Sequence, residues 1–321
     1  MNDKPLVSIG MPVHNEERFV RRALNSLLAQ NYENSELIIS DNASTDRTAD
    51  ICKEYTQQDT RVRYYRSDTN TGADSNFRRV LELARGKYFM WAAGDDYWMP
   101  TFISTMIEEL ESSPDASVAM CAVERIQEDG GKVDLVHHGG SADPSKMSNF
   151  DLAMALAAGK PYHLYVYGMY RTDFLRQAFD GFPSVVAGDR LFVCRVALAT
   201  KFRYVGEVLH IRSLSNTPRA ERYKHEALGR VWRDFWGPEK TVLAFGPYLW
   251  RSTVIPAYRK LWIPLLLFRY AISNFQHRWR SLATHFVYVI VRRFLSSKRR
   301  MAAKQFLRRL VSKSAKPVVG R

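Results

Sequence analysis

Residues 6–30 read LVSIGMPVHNEERFVRRALNSLLAQ, and this stretch decides the fold class. Its first part, 6–10, is a short apolar run of the kind that forms a buried strand. From 16 to 30, apolar side chains recur at helical spacing, which predicts an amphipathic helix. The stretch therefore predicts a strand followed at once by a helix, with the polar letters MPVHNE in the turn between them.

The same alternation continues to residue 91. Strand-like runs occupy 36–40 (ELIIS), 61–65 (RVRYY) and 87–91 (KYFMW), and helical stretches occupy 46–55 and 74–84. Because parallel neighbours need crossover connections, four successive β/α units predict an α/β fold with a mostly parallel sheet and helices on both faces. Ligands of such sheets bind outside the carboxyl ends of the strands, so the loops there are the expected site.

Beyond residue 100 the pattern is less regular. It predicts a helix over 101–111, a strand over 117–123 and a mobile Gly-rich loop over 129–144. A helix over 189–199 and paired strand-like pieces within 202–211 follow. These elements are expected to complete the sheet and to form a face for a second substrate.

The net charge of +14 belongs to one end of the chain. From Thr241 to Arg321 there are 17 Lys and Arg and no Asp or Glu, whereas residues 1–240 carry 30 basic and 33 acidic side chains. The first 240 residues are therefore slightly acidic, which argues against a nucleic-acid-binding domain there. A nucleic-acid-binding protein with a basic C-terminal arm stays open as an alternative.

The three cysteines, Cys52, Cys121 and Cys194, lie far apart and form no CxxC pair. This spacing fits neither a zinc site nor a disulfide framework, so we expect reduced thiols. The N-terminus lacks the charged-then-apolar order of a secretory signal, and a cytoplasmic protein is expected.

Three polar loops follow predicted strands. The first is Met11–Glu16, the second is Ser40–Asp46 (SDNASTD) and the third is Gly94–Asp96 (GDD). Adjacent carboxylates in a loop suit a hard cation such as Mg²⁺ or Mn²⁺. Each loop also has an ordinary interpretation, namely a turn that opens a helix, an Asx or Ser/Thr cap, and a surface turn.

Together these loops resemble the inverting glycosyltransferases of family 2, which have the GT-A fold. PVHNE is similar to the family's P-x-x-N-E motif, DNASTD to its nucleotide-binding D-D-G-S-x-D, and GDD stands in the place of its metal-binding D-x-D variant. Asn70–Gly72 and Ala84–Tyr88 are similar to its N-x-G and A-x-G-x-Y stretch. The resemblance is close over 6–99 and looser to residue 216.

The resemblance implies roles for individual residues. It places Asp95 at the ribose or a metal, and Asp96 at a divalent metal, Mn²⁺ or Mg²⁺. It also implies a set of side chains that line the nucleoside pocket, which are Pro12, Val13, His14, Glu16 and Asp41.

An inverting transferase also needs a general base, because a sugar hydroxyl is a poor nucleophile until its proton is being removed. The family places this base in an E-D pair at the start of a helix. Here Gly188-Asp189 stands in that place, so the resemblance implies Asp189 as the base. The alternatives are a helix cap or an ion pair with Arg190.

The resemblance implies transfer of one hexosyl or N-acetylhexosaminyl unit from a nucleotide-sugar donor, most simply a UDP-sugar, to a saccharide or lipid-linked acceptor. The Q-x-x-R-W motif and spanning helices of the family's processive polymerases are not found. In place of the family's Y-R-x-H, this chain reads LHIRSL over 209–214, which predicts a packed or surface role for His210. A sugar nucleotidyltransferase is a second alternative, but no G-x-G-x-R loop follows the first strand.

These patterns predict two regions. Residues 1–215 form the transferase domain, with a nucleotide-sugar-binding half over 1–100 and an acceptor half over 101–215. Residues 216–321 form a basic, aromatic-rich, mainly helical extension that suits an anionic membrane surface, at the cytoplasmic face. Buried helices of a subdomain or of a dimer interface are the alternative for this extension.

Overall fold

The computed structural model describes residues 4–127, 132–136, 143–159, 165–183, 188–214 and 237–273. The chain divides into two compact units, Met1–Arg269 and Tyr270–Arg321, and the second unit is described only over 270–273. Most of the predicted basic extension therefore lies outside the described residues. The domain boundary expected after residue 215 stays a prediction.

A mixed sheet runs through the first unit. Its nine described strands are β1 (Val7–Val13), β2 (Ser35–Asp41), β3 (Val62–Arg66), β4 (Tyr88–Trp91), β5 (Tyr97–Trp98), β6 (Ala116–Gln127), β7 (Lys132–Val136), β8 (Met169–Arg171) and β9 (Lys201–Leu214). Their spatial order is β3-β2-β1-β4-β8-β6-β9-β5, with β7 paired to β6.

Helices cover the sheet and continue beyond it. They are α1 (Val20–Leu28), α2 (Thr48–Gln58), α3 (Ala73–Glu82), α4 (Phe102–Glu111), α5 (Asn149–Ala157), α6 (Thr172–Phe179), α7 (Gly188–Ala199) and α8 (Gly237–Trp250). Short 3₁₀ helices occupy Pro144–Lys146 and Ala257–Trp262, and a further helix covers 263–273 of the described chain.

The four N-terminal strands pair in parallel, as the alternating pattern predicts. Every residue of β2 is buried, and so are six of the seven in β1, because helices cover both faces of these strands. Pro12 is tolerated in β1 because the pairing with β4 ends at Gly10, so no partner on that side needs its missing N–H.

Helix α1 begins four residues later than the sequence predicts. The backbone N–H of Glu16 donates to Thr48 Oγ1 (2.7 Å) and that of Glu17 donates to Asp46 Oδ2 (3.1 Å). These side chains hold the segment before Val20 as a turn. The sequence pattern shows the apolar face of a helix but not the tertiary partners at its start.

Two predictions for the second half are wrong. The Gly-rich segment 129–144 contains the strand β7, which pairs with β6 as a hairpin. The paired strand-like pieces near 202–211 are one continuous strand, β9, which runs parallel to β6. Val205 and Val208 of β9 lie opposite consecutive residues of β6, so the polar residues between them form a bulge and not a turn.

A buried carboxylate ties the amino ends of these strands together. Glu36 accepts hydrogen bonds from Ser8 Oγ (2.7 Å), from the Arg85 guanidinium (2.8 Å) and from Arg63 Nη1 (2.6 Å). Burial alone would raise the pKa of Glu36, but the hydrogen bonds from Ser8, Arg85 and Arg63 outweigh burial, and its pKa is lowered.

We expect the hydrogen bonds of Glu36 to make the free energy of unfolding decrease at acid pH. The pKa of Glu36 in the folded protein lies below its value of about 4.3 in the unfolded chain. The contribution of Glu36 to the free energy of unfolding is therefore complete above the unfolded pKa, and it is lost as the pH falls through the folded pKa. Glu36→Gln should lower the free energy of unfolding by about 2 kcal/mol near neutral pH. Urea titrations from neutral pH to about pH 3 check this, and equal acid sensitivity of both proteins would contradict it.

Candidate active site at the carboxyl ends of the parallel strands

The loops after β1 and β2 are bonded to each other. The backbone N–H of Asn15 donates to Ser44 Oγ (3.0 Å), and the backbone N–H of Thr45 donates to Asn15 Oδ1 (2.8 Å). Asn15 takes a left-handed conformation, with φ of 57°, which turns its side chain back toward the second loop. The first two predicted motifs therefore meet at one edge of the sheet.

The loop after β3 joins the same group. Asn42 Nδ2 donates to Asn70 Oδ1 (2.8 Å), and the backbone N–H of Thr71 donates to Asn42 Oδ1 (2.9 Å). Asn70 Nδ2 also lies 3.2 Å from Nε2 of the exposed His14. The N-x-G stretch is thus connected to the first and second loops by side-chain amides.

The GDD loop after β4 packs directly on the first loop. A Cβ added to Gly94 would lie 3.1 Å from Cγ of Glu16 and 3.4 Å from Cγ1 of Val13. Glycine therefore allows this close approach. All four loops converge at the carboxyl ends of β1 to β4, which confirms that the segments quoted from the sequence share one edge of the fold.

Asp41 lies at the base of this edge and is fully buried. Its Oδ1 accepts from the backbone N–H of Ser44 (2.8 Å) and its Oδ2 accepts from the Tyr64 hydroxyl (2.7 Å). Burial, together with the hydrogen bond to Asp41, raises the pKa of Tyr64, so the phenol stays a donor. Asp41 shapes the second loop, and its direct contact with a nucleoside stays a prediction.

Ala43 in the same loop has a φ of 58°, a conformation that costs an L-residue about 1 kcal/mol and glycine almost nothing. We expect Ala43→Gly to raise the free energy of unfolding by up to about 1 kcal/mol. Part of this gain is offset because glycine has more conformational entropy in the unfolded chain than alanine. Thermal denaturation checks this, with Ala23→Gly inside α1 as the control that should destabilise. A lower melting temperature for Ala43→Gly would contradict the expectation.

The two adjacent carboxylates of the GDD loop have different surroundings. Asp96 is 1% exposed, and its Oδ2 lies 3.0 Å from Nε2 of the buried His210 while its Oδ1 accepts from the backbone N–H of Ser213 (3.0 Å). The His210 ring stacks on Trp98, with centroids 5.1 Å apart. Asp95, in contrast, is partly exposed, and its carbonyl accepts from Arg22 Nη2 (2.9 Å).

His210 is packed, which is one of the two roles that the sequence leaves open, and its contact with Asp96 was not predicted. The two residues are 114 positions apart, and β5 and β9 bring them together by pairing Trp98 with His210. The letters around His210 carry no signal for this contact, because the pairing depends on how β9 returns to the sheet.

The side chains of the GDD loop fit a divalent cation only together with ligands from outside the chain. Among the described residues, no group of three or more His, Cys, Asp or Glu side chains could hold a metal. Mg²⁺ commonly uses one or two carboxylates together with substrate phosphates, and a partly exposed Asp95 fits that arrangement. Asp96 would have to give up one of its two protein hydrogen bonds to join.

A cavity of about 190 Å³ lies beside the third and fourth loops. Asp189, Asp74 and Arg212 contribute charged groups to its wall. Six aromatic side chains form most of the remainder, and they are Phe77, Trp91, Tyr167, Phe179, Phe182 and Phe192. Aromatic faces with a few carboxylates are typical of a site that binds a sugar ring or a similar amphipathic group.

Asp189 is exposed at the start of α7, and its Oδ1 accepts from the backbone N–H of Arg190 (2.8 Å). It is the one predicted site residue in the wall of this cavity. The loop before Gly188 lies outside the described residues over 184–187. The structure thus brings Asp189 to the sugar-sized cavity and brings the predicted nucleoside residues to the adjoining loops.

Tyr167 lies within electrostatic reach of both the GDD loop and the charged residues of the cavity wall. Burial raises its pKa, the charges of Asp96, Asp95 and Asp189 raise the pKa further, and Arg212 lowers it. Both carboxylates of the GDD loop, the predicted base and Arg212 therefore lie within electrostatic reach of one phenol.

Two predicted nucleoside residues have little side-chain surface to offer. Val13 is 2% exposed and packs in the main hydrophobic core, and Pro12 is partly buried within β1. Contact with a ligand at these positions would come chiefly from the backbone.

A family model described as Glycosyl transferase family 2 matches residues 8–179. An uncharacterised protein of Mycobacterium tuberculosis is 39% identical over 122 residues, which cover 37% of this chain and 35% of that protein. The putative teichuronic acid biosynthesis glycosyltransferase TuaG of Bacillus subtilis is 34% identical over 107 residues, which cover 33% of this chain and 42% of TuaG. The chain thus spans less than half the length of these curated relatives.

Solved structures share the fold at low sequence identity. TarS of S. aureus, solved with UDP-GlcNAc, gives a TM-score of 0.62 at 16% identity and covers 85% of this chain and 73% of TarS. The mannosyltransferase PcManGT of Pyrobaculum calidifontis, solved with GDP-Man and Mn²⁺, gives 0.56 at 15% identity over 98% of this chain and 80% of that protein. The α/β fold predicted from the sequence, of the GT-A type, is confirmed.

Proposed function

Since this chain belongs to glycosyltransferase family 2, we propose that it moves one sugar from a nucleotide diphosphate to a hydroxyl of a saccharide or lipid-linked acceptor, with inversion. The observation that carries the proposal is the convergence of four loops beside a sugar-sized cavity that contains Asp189. Family membership also argues against the nucleic-acid-binding and nucleotidyltransferase alternatives.

The donor in this proposal is a UDP-sugar, and GDP-sugars are the next candidate. TarS was solved with UDP-GlcNAc and PcManGT with GDP-Man, so the shared fold is compatible with either base. A panel of UDP-, GDP- and dTDP-sugars should be tested for thermal stabilisation and for metal-dependent hydrolysis. Stabilisation by none of them would remove the proposal.

We assign the divalent cation, Mn²⁺ or Mg²⁺, chiefly to Asp95. The resemblance implies Asp96 as the metal ligand, but Asp96 is 1% exposed and both of its oxygens have hydrogen-bond partners within the protein, whereas Asp95 is partly exposed. When bound, such a cation acts as a Lewis acid at the donor diphosphate. Asp96, held by His210 and Ser213, fixes the position of the loop that carries Asp95.

Asp189 acts as the base in the proposed mechanism. The acceptor hydroxyl oxygen attacks the anomeric carbon while the Asp189 carboxylate takes the hydroxyl proton, and the bond from that carbon to the β-phosphate oxygen breaks. One carboxylate is sufficient for such a single displacement.

We propose that the chain contacts the membrane through an exposed apolar stripe, which consists of Tyr258, Leu261, Leu265 and Phe268. These side chains are 62%, 75%, 49% and 62% exposed. Tyr258 and Leu261 are three residues apart in the 3₁₀ helix, and Leu265 and Phe268 are three residues apart in the helix that follows, so each pair lies on one face of its own helix. Ile263 and Leu266 between them are buried, so the opposite face packs on the domain. No helix of the described chain has the length and apolarity needed to cross a membrane.

Basic side chains flank the apolar stripe, and they are Arg251, Arg259, Lys260 and Arg269. This combination suits insertion into the headgroup region of an anionic bilayer at the cytoplasmic face. Arg259 Nη1 donates to the carbonyl of Leu198 near the end of α7 (3.0 Å), roughly 14 Å along that helix from Asp189. A lipid-linked acceptor would therefore be held within one helix length of the base.

Flotation with phosphatidylglycerol vesicles tests the apolar stripe. We expect Leu261→Glu combined with Phe268→Glu to lower binding at least about tenfold at 0.5 M salt, where screening leaves mainly apolar insertion. Met99→Glu, at another exposed apolar position, should bind like the wild type. If the double variant binds vesicles as the wild type does, the apolar stripe is not the membrane surface. The same conclusion follows if the wild type is a dimer in solution and the double variant is a monomer with unchanged vesicle binding, because the stripe is then a dimer interface.

A further inference from the structure

Arg212 lies in the cavity wall and has no ion-pair partner within the part of the chain that the structure describes. Its guanidinium forms no ion pair with any Asp or Glu that the structure describes. The side chain is partly buried and lines the cavity together with Asp189. A partly desolvated arginine is normally paired, so its position favours an anionic ligand that arrives from outside the chain.

The strand that carries Arg212 is fixed to the GDD loop on both sides. His210, two residues before it, and Ser213, one residue after it, each bond to a different oxygen of Asp96. Ser213 Oγ also accepts from Arg22 Nη2, whose donor group reaches the carbonyl of Asp95 as well. The backbone at Arg212 is therefore held in register with the loop that carries Asp95.

We infer that Arg212 binds the diphosphate of the nucleotide-sugar donor and stabilises it as a leaving group. The inference rests on the proposed function and gives a role to a residue of the segment 209–214, which stands in place of the family's Y-R-x-H and lies beyond the matched family region, since that region ends at residue 179. Arginine suits this role because its planar fork donates two parallel hydrogen bonds to phosphate oxygens.

The charge balance of the step explains what Arg212 contributes. As the bond between the anomeric carbon and the β-phosphate oxygen breaks, its electron pair stays on the diphosphate, which gains one negative charge. The acceptor proton goes to Asp189, which loses its charge. A cation in the cavity wall that also contains Asp189, on a strand bonded to the GDD loop, therefore acts where negative charge increases in the transition state.

Calorimetric titration of UDP and UMP, and of GDP and GMP, in the presence of Mn²⁺ tests the inference without measuring turnover. We expect Arg212→Gln to weaken binding of the preferred diphosphate by about tenfold or more and binding of the monophosphate by much less. Arg212→Lys should recover part of the loss, because it keeps the charge but not the fork. Arg203→Gln, on the same strand but paired with Glu109, should bind like the wild type.

The outcomes separate this inference from the proposed function. Diphosphate binding by Arg212→Gln that equals the wild type overturns the role of Arg212 and leaves the transferase proposal intact. An equal loss for monophosphate and diphosphate overturns it too, since that indicates a general structural effect. If the wild type binds no nucleotide, both ideas fail together.

Discussion

Replacing Asp189 with asparagine is expected to lower kcat for sugar transfer by roughly 10²–10⁴-fold, the usual contribution of a general base. Asparagine keeps the size of the side chain and can still accept from the Arg190 backbone N–H, so α7 should begin as before. Donor binding and the melting temperature should change little, because the exposed carboxylate packs against little else. Steady-state kinetics with a saturating acceptor, combined with donor titration, measures both quantities.

Two matched variants make this prediction specific. Asp173→Asn removes another exposed carboxylate from the first turn of a helix and should leave kcat unchanged. Asp74→Asn removes the second carboxylate of the cavity wall and should affect substrate affinity more than kcat. Undiminished transfer by Asp189→Asn with a large loss in Asp74→Asn would move the base to Asp74.

Asp96→Ala is expected to have the second-largest effect, on stability and activity together. It leaves the buried His210 ring and the Ser213 N–H without their acceptor, which should lower the free energy of unfolding by about 2–4 kcal/mol. The loop that carries Asp95 would lose its anchor to β9, and transfer should fall at least about 100-fold. Urea denaturation and transfer rates at several Mn²⁺ concentrations check both effects.

Asp96→Asn distinguishes a positioning carboxylate from a direct metal ligand. The amide can still accept from Ser213 and donate to His210, so stability should recover and most of the activity should return. If the Asp96→Asn protein is stable but transfers sugar only at far higher Mn²⁺ concentrations, then Asp96 itself holds the cation, as the resemblance implies.

The sequence was sufficient to predict that the candidate loops meet at one edge of the sheet. Parallel strands end at a common edge, so the loops after residues 10, 40 and 91 had to meet once the strand and helix pattern was recognised. The hydrogen bonds among Asn15, Ser44, Asn42 and Asn70 follow from that meeting. The same reasoning placed Asp189 at the start of a helix, and α7 does begin one residue before it.

The second half of the chain was predicted less well, because its strands are not joined by regular crossovers. Strand β9 reaches the sheet beside β6, and only that pairing sets Arg212 against the cavity and His210 against Asp96. A pattern of apolar and polar letters reports which face of a strand is buried, but not which strand lies beside it.

By itself the sequence determined the family, the α/β fold and the edge of the sheet where the candidate loops meet, because local periodicity and loop motifs depend on neighbouring residues. Tertiary structure alone decided that Asp96 is buried while Asp95 is partly exposed, and that Arg212 and Asp189 share one cavity wall. Those distinctions depend on contacts between residues more than 100 positions apart or on different elements, and the physical environment of a carboxylate or guanidinium exists only after those elements have packed.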